Sequence, residues 1–207
     1  MTLEALTARY GLSDAEGEAV RRFDVLFTRT AAHTNLVARS TLPDRWQRHY
    51  ADSFQLWPHV PKAARTLLDV GAGAGFPGIP LAILARTRRP DLRLTLADSV
   101  GKKARFVAQA IDTLDLPNAT ATDARAETLT QRFDVVTARA VANLSKLLDL
   151  CAPRLAPGGT LILPKGARAG EEVAQARERW QFALDRVPSE TDPDAAVLIV
   201  TQPERRA

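Results

Sequence analysis

The chain has 207 residues, of which 45% are hydrophobic, so it is long enough for one domain with a substantial core plus an extension and is not a disordered segment. A single cysteine, Cys151, excludes an internal disulfide, and three histidines without metal-ligand spacing predict no structural metal. The net charge of +4 includes clusters of arginine and lysine that suit a polyanion, although an arginine-rich solvated surface explains them equally well.

The amino terminus shows no targeting signal. Its first residues lack the basic start and the apolar stretch of a signal peptide, and no window of the chain approaches 18 uninterrupted apolar residues. The sequence therefore predicts a cytoplasmic protein that is neither exported nor embedded in a membrane.

The first sixty residues are predicted to form a helical extension. Ser13 and Glu16 have the spacing of a capping box, and Phe23 and Phe27 fall on one face of the helix that follows. A second helix is predicted over about 43–57. This part of the chain contains no pattern of strands alternating with helices.

From residue 65 onward the pattern changes to strands that alternate with helices, which is typical of a largely parallel sheet covered on both faces. This change divides the chain into an N-terminal extension, 1–60, and a second domain, 61–207. We expect a loop over 188–194 and a frayed basic tail over 203–207. Strands are predicted over about 66–70, 92–97, 118–122, 133–138, 159–164, 180–187 and 195–201. Helices are predicted over about 78–88, 101–114, 143–155 and 170–179.

A glycine-rich loop follows the first predicted strand. Gly71, Gly73 and Gly75 come directly after an apolar run that contains Asp69, and residues without side chains let backbone amides approach a nucleotide or a sulfonium cofactor. Gly73, Gly75 and Gly78 also satisfy G-x-G-x-x-G, so a dinucleotide-binding dehydrogenase is a serious alternative. The loop by itself predicts an adenosine-containing cofactor of either class.

Acidic residues near the loop favour S-adenosylmethionine over NAD. Asp69 suits the sulfonium and ammonium groups of S-adenosylmethionine, whereas it would repel the pyrophosphate of NAD. Asp98 follows the second strand and is placed to accept hydrogen bonds from the ribose hydroxyls of either cofactor. The strand over 133–138 and the turn at 157–159 are typical of class I methyltransferases. Each carboxylate also has a structural interpretation, because both are placed to cap the helix that follows.

Two blocks of sequence are highly specific: Gly75-Phe76-Pro77-Gly78-Ile79-Pro80 and Ala138-Arg139-Ala140-Val141. The chain resembles the RsmG (GidB) family of small-subunit rRNA methyltransferases over about residues 20–166. The resemblance implies an α/β, class I (Rossmann-like) methyltransferase fold with a seven-stranded, mostly parallel sheet and an N-terminal helical extension. It also implies methyl transfer from S-adenosylmethionine to N7 of a guanosine, guanosine 527 of 16S rRNA. Further blocks that carry the resemblance are Thr34-Asn35-Leu36, His49-Tyr50-Ala51-Asp52-Ser53, Asp98-Ser99, Ala124-Arg125-Ala126-Glu127 and Pro164-Lys165-Gly166.

By matched positions, the family resemblance implies that Gly71, Phe76, Ala126, Glu127 and Arg139 hold the methyl donor. Asp98 is expected to hold the ribose, and Arg139 and Lys165 are the predicted catalytic residues. The predicted cofactor-binding residues include the acidic and glycine residues of the loop. They are Asp69, Gly71, Gly73, Gly75, Phe76, Asp98, Ala126, Glu127 and Arg139.

The chemistry of guanine N7 predicts a site without a general base. N7 carries an in-plane lone pair and is unprotonated at neutral pH, so holding it in line with the departing sulfur supplies most of the acceleration. Arginine usually binds both O6 and N7 of guanine, which here would block the nucleophile, so we expect Arg139 or Lys165 to contact O6 or a phosphate. Cys151 lies on an apolar helix face and is interpreted as a core residue and not as a nucleophile.

Three other functions stay open on the sequence alone: a small-molecule methyltransferase, an NAD-dependent oxidoreductase and a non-catalytic RNA-binding factor. The expected partner is 16S rRNA or a precursor of the small ribosomal subunit, and the protein is expected to be a monomer. His49 and Asp52 lie three residues apart on a predicted helix face, where a structural hydrogen bond and an RNA contact are both open interpretations.

Overall fold

The computed structural model describes residues 1–206, which are built around one seven-stranded sheet. The strands are β1 (Thr66–Val70), β2 (Arg93–Ala97), β3 (Ala119–Thr122), β4 (Phe133–Ala138), β5 (Leu155–Lys165), β6 (Trp180–Pro188) and β7 (Ala196–Arg205). They lie in the order β3-β2-β1-β4-β5-β7-β6, and β7 runs antiparallel to both of its neighbours while the first five strands are parallel. This order confirms the predicted seven-stranded, mostly parallel sheet.

Helices cover both faces of the sheet. They are α1 (Leu3–Tyr10), α2 (Asp14–Ala31), α3 (Asp52–Phe54), α4 (Gly78–Arg88), α5 (Gly101–Leu114), α6 (Leu144–Cys151) and α7 (Ala169–Arg179). One hydrophobic cluster contains side chains of α2, α4 and α5, and a second contains side chains of α6 and α7. Cys151 is fully buried in the second cluster, as its position on an apolar face predicts. Across residues 1–206, every helix is too short or too polar to cross a bilayer.

The capping box at the start of α2 is present. Ser13 Oγ accepts a hydrogen bond from the Glu16 backbone N–H at 3.3 Å, and Glu16 Oε2 accepts one from the Ser13 N–H at 2.9 Å. Glu16 also forms an ion pair with Arg88 at 2.8 Å, which fastens the start of α2 to the end of α4. The preceding helix α1 has no counterpart in the predicted elements.

The helix predicted over 43–57 is wrong as a single helix. The chain forms a π-helical turn over Trp46–Ala51, then the short α3, and then a 3-10 turn over Trp57–His59. The reason is visible at Asp52, whose N–H bonds to Gln47 O, five residues earlier, while Arg48 O accepts from Arg139 at 2.8 Å. A distant side chain therefore takes the carbonyl that an α-helix would use.

The predicted boundaries of two strands also need correction. β5 begins at Leu155, four residues before the predicted start, because Leu155 pairs with Phe133 across an irregularity in the ladder. The basic tail predicted as frayed belongs largely to β7, in which Arg205 pairs with Trp180 of β6. Residue 207 lies outside the described residues.

An aromatic cluster joins the extension to the sheet. The Phe76 ring, directly after the glycine loop, lies 5.2 Å from the rings of both Phe23 and Phe27 and 5.0 Å from that of Tyr50, measured between centroids. Phe76, Phe23, Phe27 and Tyr50 are all buried in the first hydrophobic cluster, which runs from α1 to β7. The extension and the sheet therefore share one hydrophobic core. The predicted division at about residue 60 concerns the order of the elements along the chain, and it stays a prediction.

Replacing Phe23 with alanine is expected to lower the free energy of unfolding by about 3–5 kcal/mol, because it opens a cavity where the aromatic cluster meets the sheet. Phe23 is 0% exposed, whereas Val25, two residues later on the same helix, is 62% exposed. Val25→Ala is the matched control and is expected to change stability by about 0.5 kcal/mol or less. Urea unfolding followed by circular dichroism measures both, and equal effects of the two variants would contradict the proposed role of this cluster.

Candidate active site

The glycine loop is tied to the end of the neighbouring strand β2. The backbone N–H groups of Gly71 and Ala72 both donate to Ala97 O, at 2.8 and 3.0 Å. The Gly73 N–H donates to Asp98 Oδ2 at 2.8 Å. These bonds hold the loop at the carboxyl ends of β1 and β2, where ligands bind in open parallel sheets.

Two glycines of the loop are needed for both conformation and space. Gly71 has a φ of +69°, and a Cβ atom added there would lie 2.6 Å from Val141 Cγ2. Gly75 has a φ of +85°, and a Cβ atom there would lie 2.7 Å from Ile79 and 3.2 Å from Phe23. A side chain at either position would be strained and would collide with its neighbours. The loop therefore keeps its backbone close to both α4 and the segment after β4.

Asp69 lies behind the loop and does not line the cavity in front of it. Its side chain is fully buried, and Oδ2 accepts a hydrogen bond from the Gly78 N–H at 3.0 Å, which caps the start of α4. Oδ1 has no hydrogen-bond partner within residues 1–206. Burial raises the pKa of Asp69 to about 7, against the opposing effects of the Gly78 N–H and of the Arg139 charge. Asp69 thus has the capping role that the sequence left open.

Asp98 combines a structural role with a place in the cavity. Its Oδ2 accepts from Gly73 and its Oδ1 accepts from the Val100 N–H at 2.9 Å. Each carboxylate oxygen can accept a second hydrogen bond, and Asp98 lines the cavity in front of the loop. The carboxylate can therefore orient the loop and still bind a ligand hydroxyl.

A cavity of about 900 Å³ lies between the glycine loop, the extension and the β6–β7 loop. Of the residues predicted as cofactor-binding or catalytic, those that line it are Gly71, Gly73, Phe76, Asp98, Arg139 and Lys165. Those that do not line it are Asp69, Gly75, Ala126 and Glu127. The last two lie in a 3-10 turn after β3, where Ala126 is buried against the second hydrophobic cluster.

Arg139 bridges the sheet and the extension. It directly follows β4, and its Nη1 donates to Arg48 O at 2.8 Å and to Asp52 Oδ2 at 3.1 Å. Its Nη2 donates to His49 Nδ1 at 3.2 Å, and the guanidinium carbon lies 5.6 Å from the centre of the Phe76 ring. Nε–H and the second Nη2 N–H have no acceptor among residues 1–206. Three of the five N–H groups of the guanidinium therefore hold Arg139 in place, and two are left for a ligand.

His49 is a neutral imidazole with a defined tautomer. Burial, and then the positive charges of Arg139 and Arg48, lower the pKa of His49 to about 3. Because Arg139 can only donate, Nδ1 is an acceptor, and the ring proton lies on Nε2, 3.0 Å from Thr41 Oγ1. Thr41 in turn donates to Ala38 O at 2.7 Å. His49 is therefore a structural link of the extension and has no nitrogen available as a base.

Lys165 lines the cavity with its charge already paired. Nζ donates to Ala142 O at 2.8 Å and lies 2.6 Å from Glu172 Oε2. The same carboxylate oxygen accepts from the Leu144 N–H at 2.8 Å. One N–H of the ammonium is left for a ligand.

Sequence reasoning missed the contribution of the β6–β7 loop. Ser189, Thr191 and Asp192, in the segment predicted only as a loop, all line the cavity. Asp52, for which an RNA contact and a structural bond were both open, holds Arg139. No periodicity or motif in 188–194 marks these residues, because their role depends on a contact with the extension.

Comparison with known proteins bears on this geometry. The sequence model of the GidB family, described as rRNA small subunit methyltransferase G, matches residues 17–193. A relative named ribosomal RNA small subunit methyltransferase G, from Cereibacter sphaeroides, is 40% identical over 199 residues, 96% of this chain and 96% of the relative. A protein of the same name from Rhodospirillum centenum is 41% identical over 196 residues, 94% of this chain and 88% of that one.

Solved structures share the fold at low sequence identity. A SAM-dependent O-methyltransferase from Thermotoga maritima has a TM-score of 0.57 at 18% identity, covering 88% of this chain and 72% of its own. The N-methyltransferase NodS from Bradyrhizobium japonicum, solved with S-adenosyl-l-homocysteine, has a TM-score of 0.54 at 15% identity and covers 93% of this chain and 100% of its own. The fold is therefore that of class I methyltransferases, as predicted.

We expect the folded protein to keep His49 neutral from pH 7 down to about pH 4, since its folded pKa is about 3 against an ordinary value of 6.5. Between these values the unfolded chain binds the proton and the folded chain does not, so the free energy of unfolding falls as the pH is lowered from about 6.5 towards 3. The ¹⁵N signals of the imidazole measure the protonation state. Urea unfolding of His49→Gln should show a shallower pH dependence, and a folded His49 signal that titrates near pH 6.5 would contradict this assignment.

Proposed function

The chain belongs to the GidB family of rRNA small subunit methyltransferases, and we propose that it methylates N7 of a guanosine of 16S rRNA, guanosine 527, with S-adenosylmethionine as donor. The observation that carries the choice of N7 is that three acids and bases lining the cavity are already engaged by other protein groups. His49 uses both ring nitrogens, Asp52 is bonded to Arg139, and Glu172 is paired with Lys165. Such a site suits an acceptor that loses no proton.

The residues around the cavity fit the methyl donor. When bound, S-adenosylmethionine supplies a methyl group on a positively charged sulfur. Gly71 and Gly73 line the cavity without side chains that would occupy it, and Asp98 offers free lone pairs to the ribose hydroxyls. The two N–H groups of Arg139 that have no acceptor among residues 1–206 are free to donate to a carboxylate or to guanine O6. We propose that these residues bind and orient the two reactants.

The predicted residues outside the cavity act indirectly in this proposal. Asp69 fixes the start of α4 behind the loop, and Gly75 lets the loop pack against α2. Ala126 and Glu127 follow β3, next to the strand that carries Asp98, and stay candidates for the adenine end of the donor. Lys165, with one free N–H, stays a candidate for a phosphate of the RNA.

Transfer of a labelled methyl group tests the function directly. The substrates are 16S rRNA and small ribosomal subunits from a strain that lacks the enzyme, with S-adenosylmethionine as donor. We expect label at N7 of a single guanosine, detected by borohydride reduction and aniline cleavage of the RNA. Label on an exocyclic amine or a ribose would overturn the N7 assignment. Label on neither RNA substrate would overturn the rRNA proposal.

Gly71→Ala is expected to weaken S-adenosylmethionine binding by at least about tenfold, because the new Cβ displaces Val141 and the loop. Gly158 provides a matched control, since its φ of +75° is equally left-handed but a Cβ atom there has no atom within 4 Å. Gly158→Ala should lose about 1 kcal/mol of stability and bind the cofactor normally. Titration calorimetry and urea unfolding measure the two effects, and equal loss of cofactor affinity in both variants would argue against the loop as the binding site.

A further inference from the structure

The carboxylate that holds Arg139 is itself held from the other side. Asp52 Oδ2 accepts from Arg139 at 3.1 Å, whereas Oδ1 accepts from Gln55 Nε2 at 2.8 Å and from Thr191 Oγ1 at 3.1 Å. The Arg139 and Asp52 side chains are only 16% and 19% exposed. An ion pair at this depth is screened less than one on the surface, so its geometry is well defined.

Thr191 reaches Asp52 because the β6–β7 loop is docked on the extension. Gln55 Oε1 accepts from the Glu190 N–H at 2.8 Å, and Gln47 Nε2 donates to Thr191 O at 2.7 Å. Glu190 also pairs with Arg9 of α1 at 3.0 Å. The loop therefore contacts the extension at Glu190 and through the backbone carbonyl of Thr191, the residue that touches Asp52.

The π-helical turn adds the second fixed contact of Arg139. Because Asp52 N–H bonds to Gln47 O, the next carbonyl, Arg48 O, is available to Nη1. π-helical turns are rare and frequently lie at functional sites. Three N–H groups of the guanidinium thus donate to Arg48 O, Asp52 and His49, and the other two have no acceptor among the described residues.

We propose that Asp52 and Thr191 are positioning residues for Arg139. Through them, the β6–β7 loop sets the orientation of the Arg139 N–H groups that contact the substrates. The proposal rests on the function proposed above for Arg139. A guanidinium oriented before binding loses less conformational freedom when a ligand arrives, and this favours both affinity and alignment.

Thr191→Val tests the positioning role by removing the hydrogen bond from Thr191 to the Asp52 carboxylate. It also removes the contact of Thr191 Oγ1 with Ser189 Oγ at 3.0 Å, which lies within the loop. Hydrogen bonds to charged groups are the stronger ones, so kcat/KM for methyl transfer to rRNA should fall about tenfold. Thr191→Ser keeps a hydroxyl at the same position and should restore activity to the wild-type level. No loss in Thr191→Val, with an active wild type, would overturn the proposal.

Glu190→Gln is the matched control for loop docking alone. It removes the ion pair with Arg9 and the charge that accepts a hydrogen bond from the Tyr10 hydroxyl at 2.9 Å, and it leaves the Thr191 hydroxyl in place. The Arg9 and Glu190 side chains are 42% and 43% exposed. Since exposed ion pairs contribute little, kcat/KM should stay within about twofold of wild type. A loss as large as that of Thr191→Val would overturn the proposal, because docking of the loop would then explain both effects.

NMR of the free protein gives a readout that does not depend on the reaction. In protein labelled with ¹⁵N-arginine, the Nη signals of Arg139, identified by their loss in Arg139→Lys, should be resolved in wild type and averaged by rotation in Thr191→Val. Identical signals in both would overturn the positioning role. If wild type methylates no rRNA yet these signals change as expected, the proposed function is wrong but the positioning of Arg139 by Asp52 and Thr191 is confirmed.

Discussion

Phe76 is the side chain on which the arrangement of the site depends. It ends the glycine loop, yet its ring is buried among side chains of the extension, stacked on His49 at 5.1 Å and perpendicular to Phe27 and Tyr50. The Arg139 guanidinium lies over the same ring. Aromatic and cation–π contacts of this kind have preferred geometries, so one ring relates the loop, the extension and the end of β4 to one another.

The contacts of this ring explain why the extension is part of the site and not an appendage. His49 stacks on Phe76 as a neutral ring, because burial and then the charges of Arg139 and Arg48 lower its pKa, and its Nδ1 accepts from Arg139. The π-helical turn places His49 and the Arg48 carbonyl on the same side as the arginine. The helical extension therefore supplies the buried acceptors that the end of β4 lacks.

Sequence periodicity was sufficient for elements whose formation is local. β1 and α4 have the predicted bounds, because their apolar patterns and the glycines between them specify strand, loop and helix directly. The helix over 43–57 failed because its hydrogen bonding is decided by Arg139, 91 residues away from Arg48. The acidic residue before the glycines favoured the cofactor class that the comparisons support, but its side chain caps α4 from a fully buried position. A sequence pattern marks such a residue without showing which way its carboxylate faces.

Arg139 and Lys165, the two predicted catalytic residues, differ in what they can offer a ligand once each is paired with a carboxylate. Lys165 is a point charge whose partner Glu172 lies at 2.6 Å, so its remaining N–H adds little field to the cavity. The Arg139 guanidinium is planar, with five N–H groups in fixed directions. The ion pair with Asp52 therefore orients the remaining N–H groups without occupying them. A reaction that needs alignment and no proton transfer gains most from such a group. The same geometry makes lysine a poor replacement at 139. An ammonium paired with Asp52 would not hold further N–H groups in fixed directions towards a ligand.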